Sequence, residues 1–455
     1  VSKSQYKKQA EDAKEKLDKV SPTMCLAKWN QTSLHLPTGL TNSCYHPPLH
    51  EIDPEQLKDN PAALHNTEEK IAQRRQMLMG ERPAGCSYCW KLEDTKQLSD
   101  RHYRSGEPWA MNDFDTITNN PFNRKHNPRY VEVNFSNVCN FKCSYCSPQF
   151  STAWAQEIER YQHYPTDPPH NTPEHFMGRR KPTPQREKNP YVEAFWRWWP
   201  DLYPHLKQFR MTGGEPMMDN NTYKVFDFIC HNPKPDLHLN VTSNMCPPDD
   251  KIKNRYFDKV KQMCMEENIE HFMQFVSVDA HGKQAEYIRH GLDYKKLMDN
   301  VDEFLSRIPG RNSITFIVTY NNLSVTTLRP LLEDIKSLRA KHSNTYQRVW
   351  FDVPLLRQPA WQQITLLPEA YQQIHKENID WMMQDCGEDN YGQFKDFEVQ
   401  KMQRNLAYWQ KNYANNTKDK KNFYAFFNEH DRRRGTSFLK TFPEMAEFWK
   451  ECRNA

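Results

Sequence analysis

Three cysteines stand within eight residues in VEVNFSNVCNFKCSYCSPQF: Cys139, Cys143 and Cys146, spaced C-x3-C-x2-C. Three thiolates this close can wrap one iron–sulfur cube and hold three of its irons, leaving the fourth open to an outside ligand. Zinc is the alternative, but structural zinc takes four closed ligands, so a fourth would have to come from elsewhere in the chain. A second group reads CLAKWNQTSLHLPTGLTNSC, with Cys25 and Cys44, and then GCSYCWKLE, with Cys86 and Cys89 as a C-x2-C pair. Four thiolates suit a closed site, iron–sulfur or zinc. His46 and His50 lie near Cys44 in sequence and could replace a thiolate, although supporting or surface positions are the commoner use of such histidines.

Further along, MTGGEPMM sets Gly213 and Gly214 before Glu215 and Pro216. Only 13 glycines stand in 455 residues, against roughly 7% in an average protein, so an adjacent pair carries information. By itself, a glycine pair beside an acid is common in tight turns.

Together and in this order, CNFKCSYC, with an aromatic before its last cysteine, and MTGGEPMM resemble the signature loop and GGE motif of the radical S-adenosylmethionine superfamily. The resemblance implies a [4Fe–4S] cluster on Cys139, Cys143 and Cys146 whose open iron chelates the amino and carboxylate groups of S-adenosylmethionine. Gly213, Gly214, Glu215 and Pro216 would then lie at the methionine amino group, and Tyr145 against the adenine. Ser243 and Asn244 in TSN, with Ser277 and Asp279 in SVDA, would contact the ribose and the methionine carboxylate. Arg289 in AEYIRHG is similar to a basic residue that pairs with that carboxylate, and reads equally well as an ordinary helix-surface arginine. Val353 and Leu355 could supply an apolar wall, or simply core. The implied chemistry is one-electron cleavage of the cosubstrate to methionine and a 5′-deoxyadenosyl radical, which removes a hydrogen atom from the substrate. An electron donor such as flavodoxin or ferredoxin is implied as a partner.

The pattern C-x13-G-x4-C, containing Gly39, followed by C-x2-C resembles the twitch auxiliary domain, which implies a second [4Fe–4S] cluster suited to electron relay. Here that segment precedes the three-cysteine motif, whereas relatives place it after. By the same analogy the substrate is a peptide or protein side chain, with a sugar, nucleoside or small metabolite as the alternative. No winged-helix peptide-binding module is evident. A non-catalytic iron–sulfur sensor or electron carrier would keep both cysteine sets but has no use for an intact GGEP turn. Of the single cysteines, Cys246 could donate a hydrogen atom to a product radical; Cys230 and Cys264 read as core, and Cys386 and Cys452 as structural or exposed.

The elements that must position these groups begin near Tyr130. Short apolar runs at 130–135, 206–212, 237–243, 272–278, 313–320 and 348–356 alternate with helical stretches such as NTYKVFDFICHN and YKKLMDNVDEFLSRI. Six β/α units predict an α/β fold with a mostly parallel sheet, wound open or closed into a partial barrel. With the family resemblance, the expectation is a partial (β/α)6 TIM-like barrel over 125–360. It is preceded by a cysteine-rich cluster domain over 1–124 and followed by a helical cap over 361–455. Cluster, glycine turn and polar strand ends all fall at the C-terminal ends of strands, where such folds gather reactive groups. The Pro-rich stretch 163–190 is expected to be an irregular loop over the site, a lid.

Composition bounds the rest. Hydrophobic residues make up 37% and aromatics 13%, enough for a sizeable core. Lys and Arg number 62 against 58 Asp and Glu, a net charge of +4 that gives no case for nucleic-acid binding. The clusters Arg179-Arg180-Lys181 and Arg432-Arg433-Arg434 read as solvated surface. No apolar run approaches the roughly 20 residues of a membrane span. The start, VSKSQYKKQAEDAKEKLDKV, has no apolar signal core and reads as a charged surface helix. Twelve cysteines without an export signal point to a reducing, cytoplasmic setting and to thiols that bind metal.

Overall fold

The computed structural model describes residues 3–172, 181–343, 345–388 and 390–455. Its strands are β1 (Gln31–His35), β2 (Leu40–Asn42), β3 (His50–Glu51), β4 (Tyr130–Asn134), β5 (Lys142–Cys143), β6 (Gln208–Thr212), β7 (Lys234–Ser243), β8 (Ile269–Ser277), β9 (Arg289–His290), β10 (Asn312–Ile317) and β11 (Val349–Asp352). The chain divides into two compact units. One comprises Val1–Ser136, Lys181–Gly213 and Lys234–Asn240; the other comprises Asn137–Arg180, Gly214–Pro233 and Val241–Ala455.

In the first unit the strand order is β6-β4-β1-β2-β3. β4 runs parallel to both β1 and β6, while β1 and β2 form an antiparallel hairpin. The hairpin turns at Gly39, whose φ of +66° and contact with the Tyr191 ring, 2.2 Å from where a Cβ would stand, leave room for no side chain. The period of two is plain on the inner face, where Val131 and Val133 of β4 and Phe209 and Met211 of β6 are buried. The helix Pro190–Leu202 starts at an Asn-Pro step. Asn189 accepts the N–H groups of Tyr191 and Val192, and Pro190 fills the first position, which needs no donor. It buries Phe195, Trp198 and Trp199.

In the second unit β8, β10 and β11 run parallel in that order. The helices Asp250–Met265, Tyr294–Arg307 and Leu328–His342 alternate with the strands along the chain. β10 is buried over Asn312–Thr315 and Phe316, as expected of a parallel strand covered on both faces. The helix Tyr294–Arg307 is capped by Asp293, which accepts from the Lys296 N–H at 3.0 Å, and buries Leu297, Val301, Phe304 and Leu305 along one stripe. The helices Glu369–Gln384, Asp396–Asn412, Thr417–Arg434 and Ala446–Asn454 make the C-terminal part helical.

The six expected strands are all present, in an α/β fold with a mostly parallel sheet. The last ends at Asp352 instead of residue 356, because Pro354 has no N–H to offer a ladder. The strands β1–β3 were not expected, although TSLHLPTGLTN carries the alternation and the turn glycine of a hairpin. The Arg432-Arg433-Arg434 cluster is not solvated as a whole. The side chains of Arg433 and Arg434 are buried, paired with Glu429 at 2.7 Å and Glu157 at 3.0 Å, since the end of their helix packs onto Glu157. Arg179 and Arg180 lie outside the described residues, as does 173–180 of the expected lid; residues 163–172 hold one isolated bridge, Tyr164 to His170. Among the described residues no helix is long and apolar enough to cross a membrane.

Candidate functional site

The three-cysteine loop lies wholly in the second unit. Cys143 belongs to β5, which pairs antiparallel with β9 so that Cys143 faces Arg289. The loop is tied down at every cysteine. Trp154, fully buried, donates its indole N–H to the Cys143 carbonyl at 2.9 Å. Thr152 Oγ1 lies 3.3 Å from both the Cys139 N–H and the Cys139 carbonyl. The Cys146 N–H donates to the Cys143 carbonyl at 2.9 Å. Ser151 caps the helix Thr152–Tyr161 by accepting the Trp154 N–H, and its hydroxyl donates to the Phe141 carbonyl at 2.6 Å. Cys143 is buried and Cys139 and Cys146 are half-buried. Burial first, and then the neighbouring thiols, push Cys139 well up and Cys146 to about 12; burial raises Cys143 as well, against the opposing charge of Arg289. Raised in this way, the three thiols hold their protons at neutral pH, and a metal that bound them would have to displace those protons. Among the described residues no three His, Cys, Asp or Glu side chains converge as ligands of a single ion.

The glycine turn locks onto this loop. At Gly213, φ is +117° and a Cβ would stand 2.1 Å from Asn134 Oδ1. At Gly214 a Cβ would stand 2.2 Å from the Val138 carbonyl oxygen, next to Cys139. The same carbonyl accepts the Glu215 N–H at 2.6 Å. The Glu215 carboxylate is buried and collects three donors: Ser243 Oγ at 2.7 Å, the Asn244 N–H at 2.7 Å and the Met217 N–H at 3.0 Å. Pro216 is buried beside it. Asn244 also donates to Asn140 Oδ1 at 2.9 Å, and Asn140 donates to the Cys246 carbonyl at 2.8 Å. The cysteine loop, the glycine turn and the end of β7 are thus one hydrogen-bonded assembly.

Burial raises Glu215 from 4.5 to about 7 despite its three donors. Below 4.5 both folded and unfolded chains hold this proton; between 4.5 and about 7 only the folded chain does, so Glu215 subtracts stability as pH rises through that window. The deficit reaches about 3 kcal/mol above pH 7. Glu215→Gln is therefore expected to gain on the parent by about that amount between pH 4.5 and 8, read as the difference between their urea unfolding curves. A difference that does not change with pH would show that the three donors keep the carboxylate ionised in spite of burial.

A second knot lies at the end of β8. Asp279 is fully buried and accepts Arg289 Nε at 2.8 Å, Arg289 Nη2 at 3.0 Å, the Tyr145 hydroxyl at 2.8 Å and the Thr319 N–H at 2.9 Å. Arg289 Nη2 also reaches the Tyr145 hydroxyl, and Nη1 points at Cys143 Sγ, 3.5 Å away. Arg289 is therefore buried and paired, not on a helix surface, and its guanidinium has a single N–H uncommitted. Ser277 is half-buried at the end of β8. Val353 is fully buried in the core, and half-buried Leu355 bridges to Tyr320. Sequence reasoning missed Asn140, Thr152, Thr319 and Gln362, which exchanges hydrogen bonds with Ser144 inside the cysteine loop. For Asn140 the position between two motif cysteines was a usable signal; for the others there was none. Cys246, Cys264 and Cys452 are buried, while Cys230 and Cys386 are half-buried.

The other cysteine set lies wholly in the first unit. Cys25, Cys44, Cys86 and Cys89 line one cavity with Lys28, His46, Trp90, Asp100 and Arg101. The β1–β2 hairpin returns the chain so that Cys44 meets Cys25, and the helix Ser87–Glu93 brings in Cys89. Arg101 braces the cavity through both oxygens of Glu93 and the Met24 carbonyl. Burial, then the neighbouring thiols, raise Cys25 to about 12; burial also raises Cys44, and Cys89 to about 11. His46 is held by Asp100 at 2.6 Å and stacks on Tyr88, and His50 bonds Thr67 at 2.8 Å, so each histidine already has a partner.

No family model and no curated protein matches the chain. Among solved structures it is similar to Streptococcus suis SuiB. The SuiB crystal structure aligns with a TM-score of 0.35 and 13% identity, over 80% of this chain and 69% of that one. SuiB bound to S-adenosylmethionine gives 0.32 and 12%, over 74% and 65%. SuiB bound to the precursor peptide SuiA gives 0.34 and 12%, over 78% and 69%. A likeness this distant decides nothing about the site.

Proposed function

We propose that the chain is a radical S-adenosylmethionine enzyme, with a [4Fe–4S] cluster on Cys139, Cys143 and Cys146. The observation that carries this reading is the Gly214–Glu215 turn, which seats against the Val138 carbonyl at the root of the cysteine loop and buries a carboxylate there. A sensor or electron carrier would need the thiols alone. A buried acid titrating near 7 is poised to receive an ammonium group, which favours its ionised form. When bound, the cluster and cosubstrate supply a 5′-deoxyadenosyl radical that removes a hydrogen atom from the substrate. The chain's own part is to hold three thiols on a braced loop, to offer Glu215 to the methionine amino group, and to present Ser243, Asn244, Ser277 and Tyr145 around the remainder. Arg289, committed to Asp279 and Cys143, has one N–H to lend to a carboxylate.

In this reading residues 125–360 form a partial (β/α)6 barrel, 1–124 a twitch-like domain with a second [4Fe–4S] cluster, and 361–455 a helical cap. The buried four-thiol cavity fits that cluster by its donor set. The substrate is a peptide or protein side chain and the electron donor a flavodoxin or ferredoxin, both by family resemblance alone, in a cytoplasmic setting.

The test is anaerobic reconstitution with iron and sulfide, then dithionite and S-adenosylmethionine, with iron and 5′-deoxyadenosine quantified beside Cys143→Ala. About eight irons per chain are expected, with 5′-deoxyadenosine formed by the parent and lost in the variant. Zinc in place of iron, or iron without cosubstrate cleavage in the presence of candidate substrates, would sink the reading.

A further inference from the structure

Buried arginines elsewhere in this chain are matched by carboxylates: Arg101 by Glu93, Arg289 by Asp279 and Arg339 by Glu398. Three buried cations of the first unit are not. Lys70 and Arg74 lie on the inner face of the helix Glu68–Leu78, and Lys28 belongs to the short helix Ala27–Asn30. Their exposures are 0%, 1% and 2% for Lys70, Arg74 and Lys28. Every partner they have is neutral. Lys70 Nζ donates to the hydroxyls of Thr32 and Thr41, each at 2.8 Å. Lys28 Nζ donates to Gln73 Oε1 at 2.6 Å. Arg74 is spread over the Lys28 carbonyl, Asn66 Oδ1 and a ring nitrogen of His65. Among the described residues none of the three has a carboxylate at ion-pair distance.

A buried charge without a counter-charge is among the costliest groups a fold can keep: with only neutral partners, burial pushes Lys70 well below the usual lysine range and Arg74 down to about 9, and an anion beside them would restore their charge. The compensating anion is absent from the side-chain carboxylates, but four thiols open toward Lys28, whose carbonyl Arg74 holds. Lys28 lines the cavity into which Cys25, Cys44, Cys86 and Cys89 open. The charges of Lys28 and Lys70 both act on Cys44 or are acted on by it.

We propose that Lys28, Lys70 and Arg74 are the counter-charge of an iron–sulfur centre on Cys25, Cys44, Cys86 and Cys89, and that they hold its reduction potential up. The proposal rests on the reading of that cavity as a [4Fe–4S] site. Reduction adds one electron from a low-potential one-electron carrier. No bond to the chain forms or breaks and no proton moves; the centre, counted with its four thiolates, passes from dianion to trianion. Fixed positive charge in a dry interior favours the trianion over the dianion, and so raises the potential.

The test uses the full chain with Cys139, Cys143 and Cys146 each changed to Ala, reconstituted anaerobically with ferrous iron and sulfide so that only the four remaining thiols load. Iron and sulfide are counted first. A parent that takes no iron, or takes zinc in its place, fails the reading of the cavity and the proposal with it. With iron loaded, Lys70→Met and Lys28→Met are compared with the parent by redox titration followed by electron paramagnetic resonance. At the parent's midpoint the reduced-to-oxidised ratio is expected to fall about tenfold in each variant, a shift of 59 mV to lower potential. The empty Lys70→Met chain is expected to melt above the empty parent, since a buried charge without partner is gone. A variant that melts higher when empty but no longer loads iron also supports the proposal. Loaded variants that keep the parent's midpoint overturn it.

Discussion

Replacing Arg289 with methionine is expected to destabilise the chain by about 3–5 kcal/mol, the cost of stranding a buried carboxylate. Asp279 has no exposed surface, and it loses two of the four hydrogen bonds it accepts when the guanidinium goes. The Tyr145 hydroxyl and the Thr319 N–H remain, but neither carries charge. The penalty belongs to the unpaired ion more than to the lost contact, so neutralising the partner should recover it. Asp279→Asn on top of Arg289→Met keeps an oxygen for the Thr319 N–H and is expected to return most of the stability. Urea unfolding of the single and double variants, without metal, reads this directly. A single variant within about 1 kcal/mol of the parent would mean that Asp279 takes up a proton or water at little cost, and the pair would not be structural. The same substitution removes the N–H that points at Cys143 Sγ. If Cys143 holds a cluster as proposed, the loss of this hydrogen bond to its sulfur should lower the potential of that cluster.

Gly214→Ala is expected to cost about 3 kcal/mol, at the upper end of what overpacking does, and, where the proposed cluster is reconstituted on the parent, to abolish its iron uptake. The added carbon would sit 2.2 Å from the Val138 oxygen and 2.7 Å from its carbonyl carbon, and both are backbone atoms that cannot swing aside. Relief requires the turn to leave the cysteine loop, which breaks the 2.6 Å bond from the Glu215 N–H to Val138 and moves the carboxylate away. Gly435→Ala is the matched control. Gly435 has φ +65° at the end of the helix Thr417–Arg434 but meets nothing within 4 Å, so it should cost only the ~1 kcal/mol of a left-handed alanine. Melting temperature and iron per chain separate the two. Equal, small losses at both positions would show that the turn does not depend on this close approach.

How much of this was legible before folding differs from residue to residue. The parallel strands were visible because their buried positions recur with a period of two, as in β6, β7 and β8, and the helices between them read as stripes. Two strands were drawn several residues too long at their ends: 313–320 stops at Ile317, and 348–356 stops at Asp352, before a proline whose effect on a ladder is local. Cys139, Cys143 and Cys146 were also local: three thiols within eight residues need only one loop to meet. Gly213 and Gly214 announced a close approach, though not that Asn134 and Val138 are what they approach.

Tertiary structure alone decided the charges. Arg289 read equally well as a surface arginine, and nothing near it in the chain shows that Asp279 is buried against it with Cys143 on the other side. Lys70 and Arg74 sit in polar sequence and look like any solvated helix face, yet they and Lys28 are among the most deeply buried side chains of the protein. Arg433 and Arg434 were taken for surface by the same rule. The reason is physical. Strand, turn and loop-bound ligand spacing follow from bond geometry over a few residues, which the sequence carries directly. What a charge is worth depends on the dielectric around it and on partners tens or hundreds of residues away, and these exist only once the whole chain has packed.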